Sequence, residues 1–412
     1  VLLCIAVVLV GRLFFLQIID KSDLQAKNLS QVQVDRKLQS PRGTIYDRNG
    51  RPLAMSVVTK SLYADPKMIK QSPSEVAELI APYVTMSKED IVKSLQEDTA
   101  FVWIDRMMEP EKSKAVAQLI EDKNLEGLNF VEESKRYYPN GNLAAQVLGF
   151  VGTDDKGLDG LEMVLDDELK GGIQKELVAT DRKGNAIFGS VLSKYLPDKG
   201  KSVTLTIDAS IQFIAERALD KAMEDTGAKH ASVIVMDPKT GEILAMANRP
   251  TYDPNHYSQG SEEDFKNIAV TNLYEPGSTF KPIIASAALA SGKWKLDQVY
   301  NDKGSFVANG HVMQNWNGEG YGPVRLIDIL KFSITTGADI LSKYVRTYGF
   351  GSKTGIELPG EGDGILYNPD DMSKLDVATM SIGQGIAVTP LQMVRAFGAI
   401  ANGGSMMKPH IV

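Results

Sequence analysis

The stretch YEPGSTFKPIIASAALASG, residues Tyr274 to Gly292, decides how the surrounding chain folds. Its Pro276-Gly277 pair predicts a turn, because proline fixes the backbone and glycine permits conformations that other residues avoid. Ser278 then stands where a helix cap would stand, and the apolar, alanine-rich run behind it predicts a helix. Ser278 and Lys281 are three residues apart, so we expect their side chains on one face of the first helical turn.

This pairing of residue types has a chemical meaning. A serine hydroxyl becomes a good nucleophile only when a neighbouring group removes its proton. A lysine amine can remove that proton when it is neutral, and burial disfavours the charged ammonium form. The positive end of the helix dipole acts in the same direction on Lys281. The pattern therefore predicts Ser278 as a nucleophile and Lys281 as its general base.

The same spacing of serine and lysine occurs a second time, at Ser405 and Lys408. This copy lies in a glycine- and methionine-rich stretch, and no apolar helical run follows it. Short motifs often match by chance, so their structural context has to decide. We therefore interpret Ser405 and Lys408 as part of a solvated surface turn.

Three other stretches place the Ser278 motif in a wider context. They are RGTIYDRNG at Arg42 to Gly50, ASVIVMDPKTGEILAMANRPTYDPN at Ala231 to Asn255, and MSIGQGIAVTPLQM at Met380 to Met393. Ser-x-x-Lys is itself a signature of penicillin-binding proteins and serine β-lactamases. With these stretches, nearly the whole chain resembles the class B penicillin-binding proteins, the monofunctional transpeptidases that cross-link peptidoglycan.

The resemblance implies an α+β protein in three parts. We expect an incomplete membrane anchor at residues 1–19, an elongated α+β pedestal or dimerisation domain at residues 20–198, and a transpeptidase domain at residues 199–412. This last domain is expected to have the fold of penicillin-binding proteins and serine β-lactamases, with a central antiparallel sheet and helices. A change to Pro, Asp, Lys and Gly around Leu196 to Ser202 marks the boundary.

Local patterns predict several elements inside these parts. Helical spacing after serine or a similar start predicts helices at residues 72–81, 87–97 and 211–223. Two apolar runs, Ser232–Met236 and Ile243–Ala247, are separated by a Pro-Lys-Thr-Gly turn and predict a hairpin at the edge of the central sheet. The pair Asn49-Gly50 predicts a second hairpin.

The first residues of the chain are apolar. Val1 to Ile19 is interrupted only by Gly11, Arg12 and Gln17. A membrane-spanning helix needs roughly 20 apolar residues, whereas the core of a secretory signal needs about 7 to 15. No small-residue cleavage site follows, so we predict a single-pass anchor, and the resemblance implies that the remaining chain lies outside the cytoplasm. A buried helix of a soluble core is the alternative.

The resemblance also implies a second motif, Ser-x-Asn, at a helix start that faces the nucleophile. The matching residues are Ser333, Ile334 and Thr335. Ser333 is expected to relay a proton between the lysine and the amine of the departing D-alanine. Thr335 stands where the family has an asparagine that binds the substrate amide, and a hydroxyl offers fewer hydrogen bonds than an amide. In the alternative interpretation, Ser333 is a plain helix cap.

The third motif of the family, Lys-Thr-Gly, lies on a strand that borders the cleft. Lys353-Thr354-Gly355 matches this motif in sequence, but the surrounding stretch GFGSKTGIELPGEGDG is typical of a loop. In the family the functional copy follows the stretch matched here by residues 380–393. We therefore interpret Lys353 to Gly355 as a decoy. We expect the functional strand beyond Val412, which would leave the 412-residue chain with an incomplete active site and inert.

Bulk composition excludes some other classes of function. The hydrophobic content of 43% and charged content of 24% are ordinary for a globular protein. A net charge of -7 without a basic block argues against a nucleic-acid partner. A single cysteine excludes an intrachain disulfide. The histidines lack metal-ligand spacing, so we expect neither a metal nor an organic cofactor.

The resemblance implies a serine acyl-enzyme that acts on peptidoglycan stem peptides ending in D-Ala-D-Ala. β-Lactam antibiotics would acylate the same serine, and a membrane-embedded glycan polymerase is the expected protein partner. Two alternatives stay open. In a D,D-carboxypeptidase or β-lactamase, water would resolve the acyl-enzyme. In a scaffold or β-lactam sensor the site would have decayed, an interpretation that Thr335 favours.

Overall fold

The computed structural model describes residues 33–179, 200–292, 294–334, 342–368 and 371–412. The predicted membrane anchor and Thr335 lie outside these ranges. Within them, no helix combines the length and the apolar character that a membrane crossing requires.

Strands and helices are mixed along the described chain. The strands are β1 (Gln33–Gln39), β2 (Ile45–Tyr46), β3 (Pro52–Ala64), β4 (Val102–Met108), β5 (Leu128–Tyr137), β6 (Ile173–Ala179), β7 (Val203–Thr204), β8 (Ala231–Met236), β9 (Ile243–Arg249), β10 (Tyr300–Asp302), β11 (Ser305–Ala308), β12 (His311–Gln314) and β13 (Gly322–Val324). The helices are α1 (Pro73–Ile80), α2 (Lys88–Leu95), α3 (Pro110–Lys123), α4 (Ala145–Leu148), α5 (Gly160–Val164), α6 (Asp166–Leu169), α7 (Ala209–Thr226), α8 (Glu262–Phe265), α9 (Ile268–Thr271), α10 (Lys281–Ala290), α11 (Leu326–Lys331), α12 (Ser342–Thr347), α13 (Lys374–Ser381) and α14 (Pro390–Ala401).

Contacts divide the chain into two compact units. Among the described residues, the first unit combines 33–43, 57–134, 170–179 and 200–201, and the second combines 44–56, 135–169 and those between 202 and 412. Two segments that the sequence assigns to the pedestal, 44–56 and 135–169, therefore group with the half that carries Ser278. The single boundary near residue 198 stays a prediction.

The first unit packs three helices against strands. Its apolar core includes Leu62 of β3, Ile104 of β4, Ile80 of α1, Ile91 of α2 and Val116 of α3. Serine residues cap α1 and α2, because each hydroxyl accepts a hydrogen bond from a backbone N–H of the first turn. The helices predicted at residues 72–81 and 87–97 are confirmed.

The second unit is built on the hairpin of β8 and β9. The two strands pair antiparallel, and the turn between them uses Gly241 at a φ of +85°, where glycine is favoured. Strand β9 is almost wholly buried, and helix α7 packs against it. The Gln212 side-chain amide donates to the carbonyl oxygen of Met246 at 2.9 Å and accepts from its N–H at 2.8 Å. The predicted hairpin and the helix at residues 211–223 are confirmed.

The Asn49-Gly50 turn is the second predicted hairpin, and it is present between β2 and β3. The fully buried Asp47 carboxylate closes the turn by accepting hydrogen bonds from the N–H groups of Asn49 and Arg51, at 2.9 and 2.8 Å. Strand β7 adds to the other side of β2 in parallel. Apolar residues from these strands continue into a core shared with β9. This arrangement ties the start of the second unit to its central hairpin.

Candidate active site

Ser278 lies in the first turn of the predicted helix. Gly277 has a φ of +57° and opens a 3₁₀ turn over Gly277–Phe280, from which α10 continues at Lys281. Ser278 is thus the second residue of this turn, and the prediction that it caps the helix is wrong. The helical path begins at Gly277, two residues earlier than a cap at Ser278 requires, and the Ser278 Oγ accepts a hydrogen bond from the Ser333 Oγ.

The buried face of α10 fixes the nucleophile turn in place. Phe280 and Ile283 are fully buried, and the ring of Phe280 meets that of Phe350 edge-on with their centroids 5.2 Å apart. Met380 and Val388 complete this core. Ser278 itself is exposed. An accessible hydroxyl is therefore carried by a rigidly packed element.

Three side chains form a continuous chain of hydrogen bonds. The Lys281 Nζ donates to the Ser333 Oγ at 2.9 Å, and the Ser333 Oγ donates to the Ser278 Oγ at 2.8 Å. The predicted residues are thus brought together, but Ser333 stands between the lysine and the nucleophile. Since a hydroxyl can donate and accept at once, this order suits transfer of a proton in either direction.

The environment of Lys281 raises the fraction of its amine that is neutral. Only 8% of the residue is exposed, and burial lowers the pKa of its amine from 10.5 to about 8. At pH 7 such an amine is neutral in about one molecule in ten, against fewer than about one in a thousand for an ordinary lysine. Burial causes this lowering of the pKa, and the Lys281 Nζ donates to both oxygen atoms of Ser333.

Ser333 has an unusual backbone. It follows the C-terminal end of α11 with a φ of +54°, in the left-handed region that non-glycine residues seldom occupy. The next residue, Ile334, is buried and donates its N–H to the carbonyl oxygen of Ile329 at 3.0 Å. Strained backbones of this kind cluster at functional sites, where the surrounding structure maintains them. Ser333 therefore lies just beyond the end of α11, and residues 335–341, which a cap at Ser333 would precede, lie outside the described ranges.

The Lys353-Thr354-Gly355 segment adopts a loop. The buried carboxylate of Glu361 accepts hydrogen bonds from the N–H and the hydroxyl of Thr354, both at 2.6 Å, and from the N–H of Gly355 at 3.1 Å. Lys353 is exposed. These contacts give the segment a structural role as a turn, which agrees with its interpretation as a decoy of the third family motif.

The second Ser-x-x-Lys pair also has a structural explanation. Lys408 forms an ion pair with Glu357 at 3.1 Å, and the N–H of Ser405 donates to the Asn402 side chain at 2.8 Å. Both Ser405 and Lys408 are exposed. The Lys408 amine is held by Glu357 at the surface, whereas the Lys281 amine is buried and hydrogen-bonded to Ser333.

Sequence reasoning missed a contact between the SIGQG stretch and the nucleophile turn. The N–H of Gly277 donates to the carbonyl oxygen of Gly383 at 2.9 Å. The two residues are remote in sequence, so no local pattern connects them. The available signal was the pair of glycines at 383 and 385, which both have positive φ values.

Two family models match the chain. The penicillin-binding protein transpeptidase domain matches residues 231–412, and the penicillin-binding protein dimerisation domain matches residues 37–205. The probable peptidoglycan D,D-transpeptidase PenA of Neisseria meningitidis serogroup A is 36% identical over 99% of this chain and 71% of its own length. The chain belongs to the class B penicillin-binding proteins. The resemblance inferred from its motifs is confirmed.

Other relatives agree with this family. The peptidoglycan D,D-transpeptidase FtsI of Escherichia coli K12 is 32% identical to this penicillin-binding protein, over 96% of the chain and 68% of the relative. Among solved structures, penicillin-binding protein 2X of Streptococcus thermophilus superposes with a TM-score of 0.70 at 28% identity. That match covers 92% of this chain and 60% of the other. The mixed α+β class and the transpeptidase fold are thus confirmed.

No metal site emerges from the described part of this penicillin-binding protein. Its described residues contain no group of three or more His, Cys, Asp or Glu side chains that could hold an ion. The site itself supplies two hydroxyls, an amine of lowered pKa and backbone N–H groups.

Proposed function

We propose that this protein is a serine D,D-transpeptidase that cross-links peptidoglycan. Its substrate would be a stem peptide that ends in D-Ala-D-Ala, and Ser278 would carry the acyl group. The observation that carries the proposal is the hydrogen-bonded chain from Lys281 through Ser333 to Ser278. The names of PenA and FtsI, both peptidoglycan D,D-transpeptidases, support the same reaction.

In the acylation step, the Ser278 Oγ attacks the carbonyl carbon of the penultimate D-alanine. Its proton moves to the Ser333 Oγ while the Ser333 proton moves to the neutral amine of Lys281. The carbonyl oxygen becomes an oxyanion. As the second residue of a 3₁₀ turn, Ser278 has an N–H without an acceptor inside the turn, and this group is suited to hold the oxyanion.

The intermediate then collapses to an ester. The bond between the carbonyl carbon and the nitrogen of the last D-alanine breaks, and the amine takes the proton that Lys281 returns through Ser333. An amine from a neighbouring stem peptide attacks the ester carbonyl carbon and forms the cross-link. The bond between this carbon and the Ser278 Oγ breaks, and the relay carries the proton of the attacking amine to the Ser278 Oγ. Water in place of the amine would give the carboxypeptidase reaction.

β-Lactams would acylate Ser278 by opening of their ring amide. The amine then stays tethered to the acyl group, so no leaving group departs to make room for an acceptor. Thr335 is proposed to contact the substrate amide, on the strength of its place in the Ser333 motif. The resemblance to class B proteins supports membrane anchoring, an extracytoplasmic catalytic domain and a membrane-embedded glycan polymerase as partner.

Labelling with a fluorescent penicillin tests the nucleophile. In the full-length protein, mass spectrometry should find the adduct on the peptide that carries Ser278, and Ser278→Ala should abolish it. Ser405→Ala is the matched control, because it alters the other Ser-x-x-Lys pair, and it should label as the parent does. Label on Ser405 would refute the assignment.

Product analysis tests the reaction class. Full-length protein supplied with donor and acceptor stem peptides should yield a cross-linked dimer and free D-alanine. Hydrolysed donor without a dimer would identify a carboxypeptidase. The absence of both products, with intact penicillin binding, would identify a β-lactam sensor.

A further inference from the structure

Residues 383–388 lie directly against the turn that precedes Ser278. The N–H of Gly277 donates to the carbonyl oxygen of Gly383 at 2.9 Å. Further along, Tyr274 and Val388 exchange two backbone hydrogen bonds, each 3.0 Å long. These contacts form a brace, meaning the pairing of residues 274–277 with residues 383–388. The brace holds the backbone immediately before the nucleophile.

The two backbones approach so closely that only glycine fits at the contact. A Cβ atom added to Gly383 would lie 2.1 Å from the carbonyl oxygen of Gly277, and Gly383 has a φ of +76°. An atom at that distance overlaps the backbone of its neighbour, which cannot move aside as a flexible side chain can. Any displacement of this contact therefore displaces the nucleophile turn.

One side chain crosses the brace. The Glu275 carboxylate accepts a hydrogen bond from the N–H of Gly385 at 2.9 Å. Hydrogen bonds from N–H groups to carboxylates are stronger than those between neutral groups. The 3₁₀ turn has no side-chain cap at Pro276, so its position depends on contacts from outside the helix. Glu275 supplies such a contact three residues before Ser278.

We propose that Glu275 is a positioning residue for the acylation step. By binding Gly385, it holds the brace closed and so fixes the Ser278 Oγ within hydrogen-bond distance of the Ser333 Oγ. The inference rests on the proposed function of Ser278. The reaction rate depends on the position of the reacting group, because a shift of about 1 Å can slow a reaction on the order of 10²-fold.

Three variants of the full-length protein separate this role from general stability. Glu275→Ala removes the acceptor, and Glu275→Gln retains an oxygen that can accept from Gly385. Glu224→Ala is the matched control, since Glu224 is another exposed glutamate in the same unit, on α7. For each variant, stopped-flow measurements with a fluorescent penicillin give the constant for initial binding and the rate constant for acylation separately.

We expect Glu275→Ala to lower the acylation rate constant by about tenfold, with initial binding and melting temperature unchanged, because the reacting atom is displaced and the pocket is kept. Glu275→Gln should stay within about threefold of the parent, because its amide oxygen replaces the lost acceptor. Glu224→Ala should equal the parent. Glu275→Ala at the parent rate, or equal slowing of both Glu275 variants, would overturn the proposal.

Amide hydrogen exchange tests the role of Glu275 in the brace without relying on a measurement of catalysis. Amides in residues 274–278 and 383–388 should exchange faster in Glu275→Ala than in the parent and in Glu275→Gln, because the brace opens more often. Unchanged exchange would overturn the brace even if penicillin binding were normal. A parent that exchanges slowly but does not react with penicillin would instead count against the proposed function.

Discussion

Lys281 contacts Ser333 twice: its Nζ donates to the backbone carbonyl oxygen at 2.7 Å and to the hydroxyl at 2.9 Å. The first contact fixes where the amine lies, and the second connects it to the nucleophile. Ser333 thus binds Lys281 through both of its oxygen atoms while its backbone holds a φ of +54°. Strained backbones of this kind cluster at functional sites.

The relay through Ser333 can be tested without disturbing this backbone. Ser333→Gly removes the hydroxyl but tolerates a positive φ, whereas Ser333→Ala would add strain to the loss of the hydroxyl. We expect Ser333→Gly to melt near the parent temperature and to be acylated by penicillin about 10²- to 10⁴-fold more slowly, the usual range for lost general acid–base help. A glycine variant that reacts within a few-fold of the parent would show that Lys281 and Ser278 exchange the proton without Ser333.

The acylation rate should depend on pH through Lys281. Burial lowers the pKa of its amine to about 8, so raising the pH through this value increases the neutral fraction that can accept a proton. We expect the rate constant for penicillin acylation to rise with pH up to about 8 and to level off above it. Correction for spontaneous β-lactam hydrolysis provides the baseline. A rate that is constant over roughly pH 6 to 10 would argue against an amine base.

Replacement of the base by a permanent cation gives a complementary test. Lys281→Arg should lose nearly all acylation, because a guanidinium stays protonated at every accessible pH and its planar fork does not fit the position of the amine. Any residual acylation rate of Lys281→Arg should no longer rise with pH. Thermal melting serves as the control for folding. An arginine variant that is acylated at the parent rate would place the base elsewhere.

Local and distant parts of the site differ in how far the sequence predicts them. Ser278 and Lys281 are recognisable in the sequence because a spacing of three residues places two side chains on the same face of a helix. Ser333 was recognisable by the order of its motif. Its position between the other two was not, because it depends on how α11 ends against α10. The contact of Glu275 with Gly385 joins residues that no local pattern connects, so only the folded chain reveals it.

The difference between local patterns and distant contacts also explains why the prediction that Ser278 caps its helix is wrong. Serine after a Pro-Gly turn is typical of a helix cap, and propensity alone favours that position. In the structure, the Gly277 N–H is bound by Gly383, so the helical path starts at the glycine and Ser278 is free for chemistry. A tertiary contact has overridden the local preference.

Substitutions at Lys353 and Glu361 test whether the Lys353-Thr354-Gly355 segment serves the stability of the fold or the reaction. Lys353 is exposed and the buried carboxylate of Glu361 holds its neighbours, so the lysine has no role in the fold and the glutamate has a large one. Lys353→Ala should change the free energy of unfolding by less than about 0.5 kcal/mol, as most exposed substitutions do, and should leave penicillin acylation intact.

Glu361→Ala should lower the free energy of unfolding by about 1–3 kcal/mol, because it leaves the buried N–H and hydroxyl of Thr354 without their acceptor. Chemical denaturation of the two variants gives the comparison, with acylation by penicillin measured on the same samples. If Lys353→Ala instead stopped acylation while the protein stayed folded, the loop would be part of the active site. The interpretation of Lys353 as a decoy would then have to be abandoned, because the lysine of a purely structural turn would not affect the reaction.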